Sequence, residues 1–273
     1  MWGLWSMGDG WQQSGIDVTV ASTARVYDYL LGGKDNFPSD RAVAEQLLEA
    51  YPPMRDSCVQ NRGFLIRAVR FLSEEAGIRR FLDIGTGLPT QQNVHQVAQA
   101  SDPQARVVYV DNDPIVLAHA RALLAGAEGG QVEIVDGDLT EPQRLLAAPE
   151  VRALLEPGEP VALLMVALLH FVTDSQDPHR AVATLVDALP SGSYVVISHG
   201  AVFDQGHEGA LPKVAEAYES STSSLSLRTS AEITRFMDGL ELVEPGLVWV
   251  TDWRPDRLLK PLPGTYAAVA RKP

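Results

Sequence analysis

Phe81-Leu82-Asp83-Ile84-Gly85-Thr86-Gly87-Leu88-Pro89-Thr90 decides the fold. The apolar run reaching Asp83 predicts a buried parallel strand, and the two glycines after it permit a tight turn and a close approach of backbone to ligand. In a strand-turn-helix unit such a loop lies outside the carboxyl end of a strand, where open parallel sheets bind their ligands. The dinucleotide fingerprint Gly-x-Gly-x-x-Gly would put its third glycine at position 90, which is Thr. That departure argues against a nicotinamide cofactor. The plain alternative is a Gly-rich turn that binds nothing.

Downstream of this loop, strand and helix signals alternate, as in a mainly parallel α/β sheet. Strands are predicted over 106–110, 131–135, 161–166 and 194–198, with helices over 91–99, 115–124, 141–154 and 178–189. Residues 201–238 carry extra helix, interrupted by a solvated loop at Ser220-Ser221-Thr222-Ser223-Ser224. Stretches 240–250 and 265–270 read as a closing pair of strands, the second an inserted edge strand. Upstream, Ser22 or Thr23 is placed to cap a helix over 24–31 that stops at Gly32-Gly33. Ser39 is expected to cap a second helix that ends before Pro52-Pro53, and a third runs from 54 to 76 and closes at Gly77. Phe64, Leu65, Ala68, Val69 and Leu72 share one face of that third helix. The expected organisation is a flexible tail over 1–20, a helical cap or lid over 21–77, and the ligand-binding domain over 78–273.

Composition narrows the function. The net charge of -13, from 35 acids against 22 bases, speaks against a nucleic-acid partner, which calls for a basic face. Cys58 is the single cysteine, so an intrachain disulfide is impossible and a reducing, cytoplasmic compartment is expected. The first ten residues lack a basic region followed by an apolar run and do not read as a secretory signal. The longest apolar stretch, 161–169, is too short to span a membrane.

Asp83 sets the chemistry. A carboxylate at the end of the strand would repel a pyrophosphate but can hold the ammonium of an amino-acid-bearing ligand. S-adenosylmethionine carries that group. Acid-Gly-x-Gly, here Asp83, Gly85, Thr86 and Gly87, resembles the first motif of class I methyltransferases, although their further glycine is replaced by Pro89. The next strand ends Val110-Asp111-Asn112-Asp113-Pro114, and an acid about 20 residues beyond the loop is placed to accept hydrogen bonds from both ribose hydroxyls. Asp111 is the best candidate, while Asp113 before Pro114 reads rather as a helix cap. By the same resemblance, Asp138 and Leu139 take the adenine, with Asn112 and Ala167 completing the cofactor site; a cap for the helix from Glu141 is the other reading of Asp138.

His170 and His199 follow the fourth and fifth strands, where a base could reach an acceptor hydroxyl or amine; packing alone would also account for either. The Asn/Asp-Pro-Pro-aromatic motif of base- and amide-methylating enzymes is absent. So are the acids that bind metal after strands four and five in catechol-type enzymes, and metal-independent chemistry is expected.

The segment Ala24-Arg25-Val26-Tyr27-Asp28-Tyr29-Leu30-Leu31-Gly32-Gly33-Lys34-Asp35-Asn36-Phe37 resembles the bacterial S-adenosyl methyltransferase family first catalogued as a domain of unknown function. So do Asn61-Arg62, Asp111-Asn112-Asp113-Pro114 and Gly239-Leu240-Glu241-Leu242-Val243-Glu244-Pro245-Gly246. The resemblance covers nearly all of 20–273. It implies a Rossmann-like class I methyltransferase fold: a mostly parallel seven-stranded sheet, helices on both faces and an N-terminal helical extension. It implies S-adenosylmethionine as cofactor and names no acceptor. The expected activity is methyl transfer to an oxygen or nitrogen of a small molecule. Tyr27, Lys34, Asn36, Phe37 and Arg62 are expected in a lid over the acceptor, with His199 beside it. A non-catalytic binding protein on the same fold and a nicotinamide oxidoreductase are the rival readings.

Overall fold

A computed structural model describes residues 17–89, 92–124, 131–202 and 209–273. Most of the expected tail, the start of the helix expected from Gln91, and part of 201–238 lie outside the described residues. In chain order the main elements are α1 (Thr23–Leu30), α2 (Pro38–Ala50), α3 (Met54–Glu74), β1 (Arg80–Ile84), α4 (Val94–Ser101), β2 (Arg106–Asp111), α5 (Pro114–Leu124) and β3 (Val132–Asp136). There follow α6 (Pro142–Ala147), α7 (Pro149–Leu155), β4 (Ala162–Val166), α8 (Pro178–Ala188), β5 (Tyr194–Gly200), α9 (Ala210–Glu219), α10 (Ser230–Thr234), β6 (Glu241–Leu242), β7 (Val248–Trp249) and β8 (Thr265–Arg271).

The sheet runs β3-β2-β1-β4-β5-β8-β6. Strands β1 to β5 are parallel, and β8 lies antiparallel between β5 and the last position. That last position is shared by β6 and β7, both paired with β8, so the closing strand is broken over 243–247. The inserted strand is therefore interior, with β6 and β7 at the edge.

Successive residues on a strand point to opposite faces, and the core divides accordingly. Leu82, Ile84, Val108, Val110, Leu163 and Met165 pack with Leu145, Leu154, Val182 and Leu185 from α6, α7 and α8. Phe81, Val107, Leu164 and Val196 pack on the other face with Phe64, Ala68, Val69 and Leu72 from α3, Ala98 from α4, and Trp253. The third helix is thus a layer of the sheet domain, and residue 77 marks no boundary in the packing.

Two local expectations shift. The helix expected over 141–154 is two, because Pro149 opens α7 and forces Ala148 into extended backbone (φ -60°, ψ 134°). Helix α2 begins earlier than expected, with Phe37 as N-cap and Pro38 as its first residue. There the Phe37 N–H donates to Asp40 Oδ2 at 2.7 Å, and the Ser39 hydroxyl instead donates to Val18 O at 2.8 Å.

Candidate cofactor and acceptor site

A cavity of about 660 Å³ opens over the carboxyl ends of β1, β2, β3 and β4 and is roofed by α1, the start of α3 and α9. Asp83 leaves β1 beneath it, 5% exposed. Gly85 and Gly87 turn the chain with φ of 70° and 67°, values that L side chains rarely adopt. A Cβ on Gly85 would also stand 2.6 Å from Leu168 Cδ1, whereas Gly87 faces open space. The Gly87 N–H donates to Asp111 Oδ2 at 2.9 Å, and Asp111 Oδ1 accepts from the Asp113 N–H at 2.9 Å. Asp111 is thereby fixed at the end of β2, and its burial raises its carboxyl above the ordinary range.

Asp83 is perturbed in the same direction. Burial pushes it up to about 6, opposed by the Thr86 hydroxyl, which donates to Oδ2 at 2.9 Å, and by the positive charge of Arg62; Asp111 adds to the rise. Arg62, from α3, donates to Gln92 O at 3.0 Å. Placed with the acceptor by the sequence reading, it stands instead beside the Asp83 carboxylate.

At the third strand, Asp138 Oδ1 accepts from the Thr140 N–H and hydroxyl, both at 2.7 Å, and Oδ2 accepts from Asn112 Nδ2 at 2.8 Å. Asp138 thus closes its own turn, tethers the β2 and β3 loops and lines the cavity with Leu139. Asp113 caps α5, accepting from the Ile115 N–H at 2.8 Å, and also accepts from the Ser22 hydroxyl, which ties the N-terminal segment to the rim.

Ala167, after β4, sits at φ 55°, an unfavourable backbone for a residue with a Cβ. Its N–H donates to Ser198 Oγ at 2.9 Å, the Ser198 hydroxyl donates to Asn61 Oδ1 at 2.6 Å, and Asn61 Nδ2 donates to Tyr27 OH at 2.9 Å. Tyr27 OH in turn donates to Cys58 O at 3.0 Å. This chain joins β4, β5, α3 and α1 under the cavity. Sequence reasoning gave no role to Ser198 or Asn61, although Asn61 lies within the family motif.

His170, 9% exposed, reaches the cavity. Its Nδ1 accepts from the Gly200 N–H at 3.2 Å, so the neutral ring carries its proton on Nε2. Burial, with His199 and Arg228 nearby, holds its pKa well below the ordinary value. The ring offers a hydrogen-bond donor where a general base would need a free lone pair.

His199 is not in the cavity. It is fully buried, Nδ1 bonded to Gly200 O at 2.6 Å and Nε2 to Arg228 at 2.9 Å, with a pKa held down to about 4 chiefly by burial. Ser198 faces α3, so its neighbour on the strand must face the opposite layer.

Lys34, Asn36 and Phe37 also stand outside the cavity lining. Lys34 is exposed. Asn36 Nδ2 donates to Asp28 Oδ2 at 2.8 Å, and Phe37 packs with Leu88, Ile115 and Val116 beneath the Arg25 guanidinium. Asp28 organises this loop, also accepting from the Asp35 N–H at 3.0 Å; a Cβ on Gly33 would lie 1.9 Å from its Oδ1. Much of the signature segment therefore encodes a turn.

The strand order, the glycine loop after β1 and the acids after β2 and β3 define a class I methyltransferase fold. A family model described as S-adenosyl methyltransferase matches residues 9–273, and the chain belongs to that family. It is an S-adenosylmethionine-dependent methyltransferase. A DUF574 family protein from Streptomyces avermitilis is 43% identical, with TM-score 0.89 over 94% of this chain and 99% of that one. A putative methyltransferase from Thermobifida fusca is 40% identical, with TM-score 0.88 over 97% and 99%. The fold extends to magnesium protoporphyrin IX methyltransferase from Synechocystis, solved with bound SAH, at 13% identity and TM-score 0.51 over 80% and 86%. No curated protein matches the chain. The oxidoreductase and non-catalytic readings are set aside by the family.

Proposed function

We propose that the protein methylates an oxygen or nitrogen of a small molecule, without a metal ion. When bound, the cofactor supplies an electrophilic methyl group on a sulfonium centre. Asp83 and Arg62 would hold the ammonium and carboxylate of its amino-acid end, Asp111 the ribose hydroxyls, and Asp138 with Leu139 the adenine. Asn112 steadies Asp138, and the turn at Gly85, Thr86 and Gly87 lets backbone come close. The observation that carries this assignment is Asp83: a carboxyl raised to about 6 by burial has a cation beside it and a cavity in front, and suits a cationic ligand.

The chain's own contribution to the chemistry is positioning and exclusion of water, since in-line approach supplies much of the barrier reduction. Transfer would form the bond from the acceptor lone pair to the methyl carbon as the carbon–sulfur bond breaks, its electron pair staying on sulfur, and the acceptor's proton would pass to solvent. His170 would orient the acceptor through Nε2–H. Among the described residues there is no group of three His, Cys, Asp or Glu side chains that could hold a metal ion. No described helix is long and apolar enough to cross a membrane. The net charge of -13 favours a small acceptor over nucleic acid, and the lone cysteine fits a reducing cytoplasmic compartment. We read α1 and α2 as a cap over cofactor and acceptor. The test is calorimetry with S-adenosylhomocysteine: Asp111→Ala should weaken binding by about 1.5–3 kcal/mol, the worth of hydrogen bonds to a charged acceptor. Unchanged affinity in a folded variant would remove Asp111 from the site.

A further inference from the structure

The cavity changes character along its length. At the ends of β1, β2 and β3 it is lined by carboxylates, Asp83, Asp111 and Asp138. Past Ala167 the wall comes from the α2–α3 junction, the turn after β4 and α9, and its side chains include Met54, Cys58, Phe171, Leu211, Val214 and Tyr218. Phe171 and Tyr218 meet edge to face at 5.1 Å, and the His170 ring lies 4.4 Å from that of Phe171. Edges and faces of this kind pack against a further ring.

The groups there that could ionise are held neutral. Burial pushes the Cys58 thiol up to about 12, raises the Tyr218 phenol, and keeps His170 unprotonated. The hydroxyls of Tyr27 and Tyr51 are committed to the backbone carbonyls of Cys58 and Pro263, each at 3.0 Å. Among the described residues the only Lys or Arg side chains lining the cavity are Arg25 and Arg62. Arg25 is buried against Asp40 at 3.2 Å, and Arg62 lies beside Asp83. The residues outside the described ones, 1–16, 90–91, 125–130 and 203–208, contain no Lys or Arg. An acceptor bearing carboxylate or phosphate would lose its hydration with no cation to receive it.

Resting on the methyltransferase reading above, we infer that the acceptor is an uncharged, ring-bearing apolar molecule, admitted by the Phe171–Tyr218 wall and oriented through the donor on His170. Anionic congeners are excluded because no Lys or Arg among the described residues faces this half unpaired.

The full chain, with and without saturating S-adenosylhomocysteine, is titrated calorimetrically with 1-naphthol and with 1-naphthoate, probes alike in ring, the first neutral and the second anionic. The neutral probe should bind at least about tenfold tighter, as expected where an unpaired charge must be desolvated. Leu211→Arg, or Leu225→Arg at another residue lining the cavity should the first fail to fold, should raise naphthoate affinity about tenfold while leaving S-adenosylhomocysteine binding unchanged. Equal affinities, a preference for naphthoate, or binding of neither probe overturns the inference. The cofactor reading fails separately, by absence of S-adenosylhomocysteine binding, and the probe preference in the unloaded protein still decides the acceptor class.

Discussion

Asp83→Asn should make the unliganded protein more stable and the cofactor complex weaker. In the folded chain the Asp83 carboxyl is pushed up to about 6, against an ordinary 3.8, with burial as the leading cause. Between those pH values the folded state holds a proton that the unfolded state has lost, so stability falls as pH rises through this window and levels off above about 6. The difference corresponds to on the order of 3 kcal/mol of penalty for carrying a buried carboxylate at pH 8. The amide is isosteric, never ionises, and keeps an oxygen to accept from the Thr86 hydroxyl. Urea unfolding of the unliganded protein should therefore show the variant more stable by about 2–3 kcal/mol at pH 8 and by less than about 1 kcal/mol near pH 4. Calorimetry with S-adenosylhomocysteine at pH 8 should show the opposite preference, since the ligand ammonium loses a charge-assisted hydrogen bond worth about 1.5–3 kcal/mol. Wild-type affinity should also fall below about pH 6, as Asp83 must give up its proton to receive the ammonium. A variant no more stable than wild type at pH 8 would refute the burial argument, and one that binds the ligand equally well would refute the placement of the amino-acid end.

Three further outcomes follow from the hydrogen-bond chain, the histidine and the cap. Ser198→Ala removes the acceptor of the Ala167 N–H and Asn61→Ala the acceptor of the Ser198 hydroxyl, so their destabilisations in urea should fall short of additivity by about 1 kcal/mol in the double variant; additivity within about 0.3 kcal/mol would show the link to be idle. His170→Gln retains a donor, so turnover on an identified acceptor should fall by no more than about tenfold with an unmoved pH profile, whereas loss of a general base would cost about 10²–10⁴ and remove a limb. Hydrogen exchange with and without S-adenosylhomocysteine should gain protection over residues 32–37, with α1 changing little because Tyr27 and Arg25 anchor it; equal gain throughout 22–40 would indicate a lid that moves as a whole.

What the sequence made legible was what chain continuity enforces. Asp83, Gly85, Gly87 and Asp111 sit at strand ends and tight turns, and an alternating strand and helix pattern delivers such positions to one edge of the sheet whatever the packing. The misplacements came from facing. Ser198 and His199 are adjacent and both polar, yet one faces Asn61 on α3 and the other Arg228 in the opposite layer; the strand alternation was readable, its phase was not. Arg62 follows the same logic on a helix: its sequence neighbours mark it as special, while only the docking of α3 on the sheet brings it to Asp83. The single helix expected over 141–154 overlooked Pro149, and proline, favoured at the first turn of a helix, also terminates the one before it.

The N-terminal signature shows how a specific motif can be structural at some positions and chemical at others. Gly33 must be glycine because Asp28 occupies the space where a Cβ would go, and Asp28 is held there by the Asp35 N–H and the Asn36 amide. That turn sets the start of α2, whose buried Asp40 pairs with Arg25 and accepts from the Ser22 N–H at 2.9 Å. Ser22 in turn reaches Asp113 at the end of β2, and Tyr27 reaches Asn61 and so Ala167. Removing one partner from a buried polar pair is costly, so opening α1 as a rigid flap would strand several such groups at once. We therefore propose a fixed roof in place of a moving flap. A roof of this kind would shape the proposed acceptor half of the cavity before any ligand arrives, so that the apolar character of that half bears on what enters it.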